Sequence, residues 1–224
     1  MKTLKKTFEH KDLNLPELSA EIVEGIGRLY TTPEGLKYPS VTTVIGKTSD
    51  QSWLDAWKAR VGEEEVQKVS AQASRRGTAV HELAEEYLKN NPQYTKGHMP
   101  SNIATFGQIR PILDKHVTKI YGLEVPLYSD NLRVAGRVDC VADWDGVLSI
   151  IDFKTSKREK KREDIGGYFT QASAYSYMMF ERTGMLPKQI VIMMMVDDSE
   201  PLVFVEKAKD WIEKFIELRN SVDI

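Results

Sequence analysis

The stretch GRVDCVADWDGVLSIIDFKTS, residues 136–156, decides the fold because it encodes a β-hairpin with charged residues near its open end. Asp145-Gly146 is a strong signal for a two-residue turn, since a type I′ turn needs positive φ at both central positions. With that turn, Trp144 lies opposite Val147, and every earlier residue pairs with a later one. The pattern therefore predicts strands over 132–143 and 147–155.

Counting outward from the turn places Asp139 directly opposite Asp152. A longer loop would slide the strands but keep both side chains on one face, because the side-chain period of a strand is two. Lys154 is two residues beyond Asp152 and joins the same face. The opposite face, predicted to be the core side, carries Val138, Cys140, Ile151 and Phe153.

Two carboxylates that lie opposite each other in a sheet repel. A shared divalent cation removes the repulsion, since hard cations prefer oxygen ligands. The alternative is a solvated pair in which Lys154 is only a salt-bridge partner, because charged pairs on exposed strands are common. The hairpin by itself leaves both interpretations open.

The rest of the chain alternates between helical and strand patterns. Strands are predicted at 21–30, 36–45, 123–129, 189–196 and 201–205. Helices are predicted at 51–69, 72–90, 101–121 (interrupted at Pro111), 168–182 and after residue 205. This order predicts an α/β (α+β) fold with a central mixed sheet flanked by helices, and an N-terminal strand pair and helical region. We expect one domain over 1–224, with 1–122 preceding the catalytic sheet and helices of 123–224.

Composition excludes several classes of protein. The single cysteine, Cys140, rules out an internal disulfide and a four-cysteine iron–sulfur cluster, and its apolar surroundings predict a buried, inert thiol. No apolar run is long enough to span a membrane. The first 25 residues lack an apolar signal core and include Glu9, Asp12 and Glu17, so we expect a cytoplasmic protein. With a net charge of −2, any contact with DNA must depend on a local basic patch.

Asp139, followed after the turn by Asp152-Phe153-Lys154, resembles the motif of the PD-(D/E)xK nuclease superfamily. Val138 stands where the proline of that name would be. Gln171 and Tyr175 on the following helix are similar to the Gln-x-x-x-Tyr of the RecB-like branch. Further segments resemble the mitochondrial genome maintenance exonucleases and their bacterial and phage relatives: PSVTTVI (39–45), WLDAWKARV (53–61), RRGTAVHELAEEYL (75–88) and QASAYSYM (171–178).

The resemblance implies a restriction-endonuclease-like fold and a metal site. Asp139, Asp152 and the backbone carbonyl of Phe153 would hold Mg²⁺, with Mn²⁺ as a substitute, and the metal would activate a water. Lys154 would orient that water or stabilise the transition state. His81, aimed inward by its helical position, would help to hold a second metal or contact the phosphate. Taken alone, a histidine on a helix is more often structural.

Other residues are candidates for positioning the substrate. The resemblance implies that Gln171 and Tyr175 position Lys154 and the DNA backbone, although a half-buried helix face would carry the same spacing. Hydroxyls and basic groups that could contact phosphates are those of Ser40, Thr42, Thr43, Arg75, Arg76, Lys157 and Arg158. An ordinary β-branched strand and solvated charges are the alternatives for these residues. For Trp53 and Trp57, packing is favoured over base stacking, which would need exposed rings.

The function implied is a DNA exonuclease that favours single strands or frayed ends. An endonuclease or recombination nuclease of the same fold remains open, as does a catalytically silent DNA-binding subunit. A replication or recombination helicase or polymerase is a candidate partner. The expected setting is a bacterium or a virus-infected cell.

Overall fold

A computed structural model describes residues 6–50 and 52–224 of the chain. Its strands are β1 (Glu9–His10), β2 (Ser19–Val23), β3 (Gly27–Thr31), β4 (Lys37–Pro39), β5 (Val117–Ser129), β6 (Val134–Trp144), β7 (Val147–Ser156), β8 (Gln189–Val196) and β9 (Leu202–Lys207). Its α-helices are α1 (Val41–Thr48), α2 (Ser52–Val61), α3 (Glu63–Leu88), α4 (Pro100–His116), α5 (Gly166–Thr183) and α6 (Ile212–Asn220).

A six-stranded mixed sheet in the order β1-β5-β6-β7-β8-β9 forms the centre of the molecule. Strands β5, β6 and β7 are an antiparallel meander, whereas β7 and β8 are parallel and are connected through α5. A second sheet, β2-β3-β4, is antiparallel. The predicted fold class, a central mixed sheet flanked by helices, is confirmed.

The predicted β6–β7 hairpin is confirmed at its turn. Asp145 and Gly146 have φ angles of 51° and 80°, the two positive values that a type I′ turn requires. Trp144 pairs with Val147, and the pairing continues without a shift to Cys140 and Ile151.

Both faces of the large sheet are covered, and each has its own hydrophobic cluster. One cluster joins the sheet to α1, α5 and α6, and includes Val141, Ile150 and Phe169. The other joins it to α3 and α4, and includes Leu83, Phe106 and Ile151. Strand β8 is buried along almost its whole length, which explains why QIVIMMMV shows no alternation.

One prediction about the hairpin is wrong: Val138 does not share a face with Cys140. Val138 packs in the α5 cluster, whereas Cys140, Ile151 and Phe153 pack in the α3 cluster. The neighbouring strand changes face at the same level, where Glu124 has a φ of +49°. A left-handed residue kinks a strand and interrupts its alternation, and Val125, the partner of Val138, changes face in the same way.

The N-terminal strands also differ from the prediction. The segment 21–30 is not one strand, because a turn with Gly25 at φ +74° separates β2 from β3. The segment 36–45 is strand only as far as Pro39. Ser40 caps a helix instead, since its Oγ accepts a hydrogen bond from the Thr43 N–H at 2.9 Å, and this favours α1 over β-branched strand propensity.

Two helix boundaries differ from the predicted ones because a single residue determines where each helix ends. The break predicted at 70–71 lies at Gly62, whose φ of +87° ends α2, so α3 runs for 26 residues. Helix α4 ends at His116 rather than 121, because Val117 already belongs to β5, and Pro111 lies inside the helix.

Three other expectations can be compared with the structure. Cys140 is buried as predicted, and burial raises the pKa of its thiol. The preference for packing at Trp53 is wrong: the residue is 62% exposed, its ring stacks on that of Trp57 at 6.4 Å, and none of the residues of α2 is buried. Within the described parts of the chain, no helix combines the length and apolar character that crossing a bilayer requires.

Candidate active site

The candidate site begins where the two hairpin strands separate. The last pair in the β6–β7 ladder is Cys140 and Ile151. At the next step, the N–H of Phe153 donates to Oδ2 of Asp139 at 2.8 Å, so a side-chain carboxylate takes the place of a main-chain partner. This opening brings Asp139, Asp152 and Lys154 to one end of the hairpin, but the ladder ends at Cys140 and Ile151 and does not pair Asp139 with Asp152 as the turn predicts.

Asp152 and Lys154 form a buried ion pair. The Asp152 side chain is 3% exposed and that of Lys154 is 19% exposed. Burial raises the pKa of Asp152, and the repulsion of Asp139 adds to it, whereas Lys154 opposes the rise. Burial alone would lower the pKa of Lys154, but the two carboxylates outweigh it and hold the ammonium charged. Within the described residues, Oδ2 of Asp152 has an ionic partner but no hydrogen bond of normal geometry.

His81 connects helix α3 to the open end of the hairpin. Its Nε2 lies 2.6 Å from the carbonyl oxygen of Phe153, and its Nδ1 lies 3.6 Å from Oδ2 of Asp139. A carbonyl oxygen can only accept, so Nε2 must donate and the proton of a neutral ring is assigned there. Nδ1 then faces a carboxylate oxygen.

Glu124, which the sequence reasoning missed, completes a group of three ligand-type side chains. Ligand atoms of His81, Glu124 and Asp139 all lie within 4.8 Å of one another. Burial, then the charges of Asp139 and Glu85, raise the pKa of Glu124 to about 7. The available signal was a single acidic residue in the apolar run LEVPLY (123–128) on the strand that pairs with Asp139's own.

Gln171 and Tyr175 lie on α5, which packs over the sheet. Tyr175 is buried. Burial raises the pKa of its hydroxyl, a hydrogen bond with Gln171 opposes this, and the charges of Asp152 and Asp139 add to it. The ring approaches β6 so closely that a Cβ on Gly136 would lie 2.8 Å from it. This contact explains the glycine within a strand.

Tyr168 is a second residue that the sequence reasoning missed. The Nζ atom of Lys154 lies 5.1 Å from the centre of the Tyr168 ring, and that of Lys160 lies 5.5 Å from it. An aromatic face at this distance attracts an ammonium group. Tyr168 therefore helps to direct Lys154, and it is three residues before Gln171 on the same helix.

The predicted phosphate contacts at the start of α1 have different surroundings. Ser40 is buried, and its hydroxyl lies 2.9 Å from that of Thr42 and 2.8 Å from that of Thr43, in addition to capping the helix. The Thr43 hydroxyl also accepts from the N–H of Arg28 at 3.1 Å. Thr42 is exposed and is the most accessible of the three.

The predicted basic contacts also separate into two groups. Arg76 forms an ion pair with Asp197 at the end of β8. Arg75, Lys157 and Arg158 are exposed, and the last two directly follow the strand that carries Lys154.

Comparisons with known proteins show what this chain is similar to. The sequence profile described as "PD-(D/E)XK nuclease superfamily" matches residues 102–218. Mitochondrial genome maintenance exonuclease 1 of Homo sapiens is 31% identical over 131 residues, which are 54% of this chain and 38% of that protein. The Mus musculus protein is 30% identical over 129 residues, with the same coverage. The chain thus spans less than half the length of these relatives. A crystal structure of a protein from Eubacterium rectale superposes with a TM-score of 0.40 and 13% identity, over 66% of this chain and 69% of that one.

Proposed function

The chain belongs to the PD-(D/E)XK nuclease superfamily, and on that basis we propose that it is a metal-dependent DNA exonuclease that hydrolyses phosphodiester bonds and prefers single strands or frayed ends. The observation that carries the proposal is the buried Asp152–Lys154 pair beside Asp139 at the open end of the hairpin. The preference for single strands rests on the similarity to the mitochondrial exonucleases.

The donor set at this end of the hairpin suits a hard divalent cation. Oδ2 of Asp152 is buried and has the Lys154 ammonium as its ionic partner, and a buried carboxylate of this kind can also ligate a hard cation. We infer that Asp139, Asp152, the Phe153 carbonyl and His81 hold Mg²⁺, with Mn²⁺ as a substitute. When bound, the metal would polarise the scissile phosphate and lower the pKa of a water.

The side chains around the cation site have distinct tasks in this proposal. Lys154 orients the attacking water and stabilises negative charge on the phosphate, since its ammonium is held charged by two carboxylates. Gln171 limits the movement of Lys154 and lines the DNA path from the α5 side, and the buried Tyr175 supports Gln171 through their hydrogen bond. Phe153 anchors His81 through its carbonyl oxygen.

Exposed basic and hydroxyl groups would guide the DNA backbone toward the site. Lys157, Arg158 and Arg75 are accessible to phosphates, as is Thr42. Ser40, Thr43 and Arg76 contribute through the geometry they stabilise, because their polar groups already have internal partners. We infer that the enzyme acts in a bacterium or a virus-infected cell, beside a replication or recombination helicase or polymerase.

End-labelled DNA provides the test. Single- and double-stranded substrates, with each end blocked in turn, would be incubated with Mg²⁺, Mn²⁺ or EDTA. We expect stepwise shortening of single strands that EDTA abolishes. Cleavage of covalently closed circles would instead favour an endonuclease, and DNA binding without cleavage in either metal would favour a silent DNA-binding subunit.

Substitutions test the assignment of the residues. Asp152→Asn and Lys154→Ala should each lose cleavage, and His81→Ala should change the dependence on metal concentration. Asp143→Asn is a matched control, because this aspartate lies on β6 but hydrogen-bonds to Tyr121 outside the site. Cleavage at the wild-type rate by the Asp152 or Lys154 variant would contradict the assignment.

A further inference from the structure

We propose that Glu124 is a ligand of a divalent cation, held together with His81 and Asp139 beside the Asp152–Lys154 pair. The inference rests on the proposed metal dependence and adds a carboxylate from β5, a strand outside the hairpin that carries the motif. Asp139 would then lie between Asp152 and Glu124 and act as a ligand in both halves of the metal centre.

The spacing of the donors is right for one cation. Ligand atoms of the three side chains lie within 4.8 Å of one another. Bonds from oxygen to Mg²⁺ or Ca²⁺ are about 2.0–2.6 Å long, so donors about 4–5 Å apart or closer can share one ion. One nitrogen and two carboxylate oxygens are also a donor set that Mn²⁺ accepts.

The orientation of His81 is suitable for a cation ligand. Its Nε2 lies 2.6 Å from the Phe153 carbonyl oxygen, so the ring is held with its Nδ1 directed toward Asp139, 3.6 Å from Oδ2. A metal ligated by Nδ1, with Nε2–H fixed by a backbone carbonyl, is a common arrangement for a histidine ligand.

Glu124 itself has no competing partner. Among residues 6–50 and 52–224, no hydrogen bond or ion pair reaches its carboxylate, and the guanidinium of Arg137 contacts Glu17 and the Glu124 main-chain carbonyl instead. Its backbone has a φ of +49°, which costs a residue other than glycine about 1 kcal/mol or more. The kink thus places a carboxylate that has no hydrogen-bond or ion-pair partner among the described residues next to Asp139 and His81.

Nearby Glu85 provides a matched control. It is close enough to influence Glu124 electrostatically, but its carboxylate pairs with Lys89 at 2.7 Å. Glu85→Gln therefore removes one negative charge from the same region without removing a proposed ligand.

The experiment measures Mn²⁺ binding to the full chain, without DNA, by electron paramagnetic resonance after removal of metal with EDTA. We expect Glu124→Gln to weaken Mn²⁺ binding at least about tenfold, since even residues that only support metal ligands cost that much. Glu85→Gln should bind as the wild type does. Electron spin echo spectra of Mn²⁺ bound to the wild type should show coupling to a histidine nitrogen, which disappears in His81→Gln.

Unfolding measurements show whether Glu124→Gln weakens the fold rather than the cation site. Without metal, Glu124→Gln should be at least as stable as the wild type, because its repulsion with Asp139 is gone, and Mn²⁺ should stabilise it less. Wild-type affinity in Glu124→Gln, or no nitrogen coupling in the wild type, would overturn the inference. Mn²⁺ binding as expected by a protein that cuts no DNA would overturn the proposed function alone.

Discussion

Replacing Lys154 with methionine should destabilise the metal-free protein strongly, because it leaves the Asp152 carboxylate buried without a cation. The Asp152 side chain is buried, with 3% exposed, and that of Lys154 is half-buried, with 19% exposed, so the pair is closer to a buried ion pair than to a surface one. Removal of one partner from a buried pair costs about 3–5 kcal/mol. Because burial already raises the pKa of Asp152, that carboxyl can take up a proton instead, and the lower end of this range is expected at neutral pH.

Urea unfolding in EDTA measures this effect. The double variant Asp152→Asn/Lys154→Met should recover most of the lost free energy of unfolding, since no unpaired charge remains. Lys160→Met is the matched control: this lysine lies over the same Tyr168 ring but outside the buried pair. Its free energy of unfolding should change by about 0.5 kcal/mol or less.

Activity separates the catalytic role of Lys154 from its structural role. Loss of a preorganised group that stabilises transition-state charge costs about 10²–10³-fold in rate. The double variant should therefore regain stability but not cleavage of end-labelled DNA. A wild-type free energy of unfolding for Lys154→Met would refute the stabilising role of the ion pair. Cleavage of DNA by this variant at the wild-type rate would refute the catalytic role of Lys154.

Three further predictions follow from individual contacts. Gly136→Ala should destabilise the protein by about 1–3 kcal/mol and reduce cleavage, because the new Cβ would lie 2.8 Å from the Tyr175 ring; Gly107→Ala, with open space around it, should not. Thermal unfolding of both variants checks this. The pKa of Glu124 is raised to about 7, so the folded protein binds this proton more tightly than the unfolded chain, and stability in EDTA should fall as the pH rises from about 4.5 to 7. The loss, discounted for partial exposure, should be about 1–2 kcal/mol, and urea unfolding of Glu124→Gln should show a flatter pH profile if the assignment is right. Lys157→Ala should weaken binding of a single-stranded oligonucleotide and reduce the salt slope by about 0.7; an unchanged slope would remove this lysine from the DNA path.

Local rules were sufficient for the hairpin turn and for the Asp152–Lys154 pair. The Asp145-Gly146 turn determines the pairing of β6 with β7 as far as Cys140 and Ile151, and strand alternation places Asp152 and Lys154 on one face of β7. It does not account for Asp139, because alternation on β6 is interrupted between Val138 and Cys140. These steps involve residues close together in the chain, so no knowledge of packing is needed. The central mixed sheet was predictable for a similar reason, since the switch from helical to strand periodicity marks each element.

The ends of helices and strands were harder to predict where one residue overrides the structural propensity of its neighbours. Ser40 turned a β-branched segment into a helix by capping it, and Gly62 divided α2 from α3 within a continuous helical pattern. The exposure of Trp53 was missed for a different reason. Its helical spacing from Trp57 is the same whether the shared face is covered or open.

Only the tertiary structure brought Glu124 and His81 to Asp139. Glu124 lies on β5, outside the β6–β7 hairpin. Its positive φ interrupts the side-chain alternation that the sequence implies for β5, and Val138 on β6 changes face at the same level. His81 comes from a helix 58 positions before Asp139 in the chain, and its orientation depends on the Phe153 carbonyl. Turn type and strand period act over a few residues and can be derived from the sequence, whereas this convergence depends on how α3 and β5 pack around the hairpin, which no local pattern encodes.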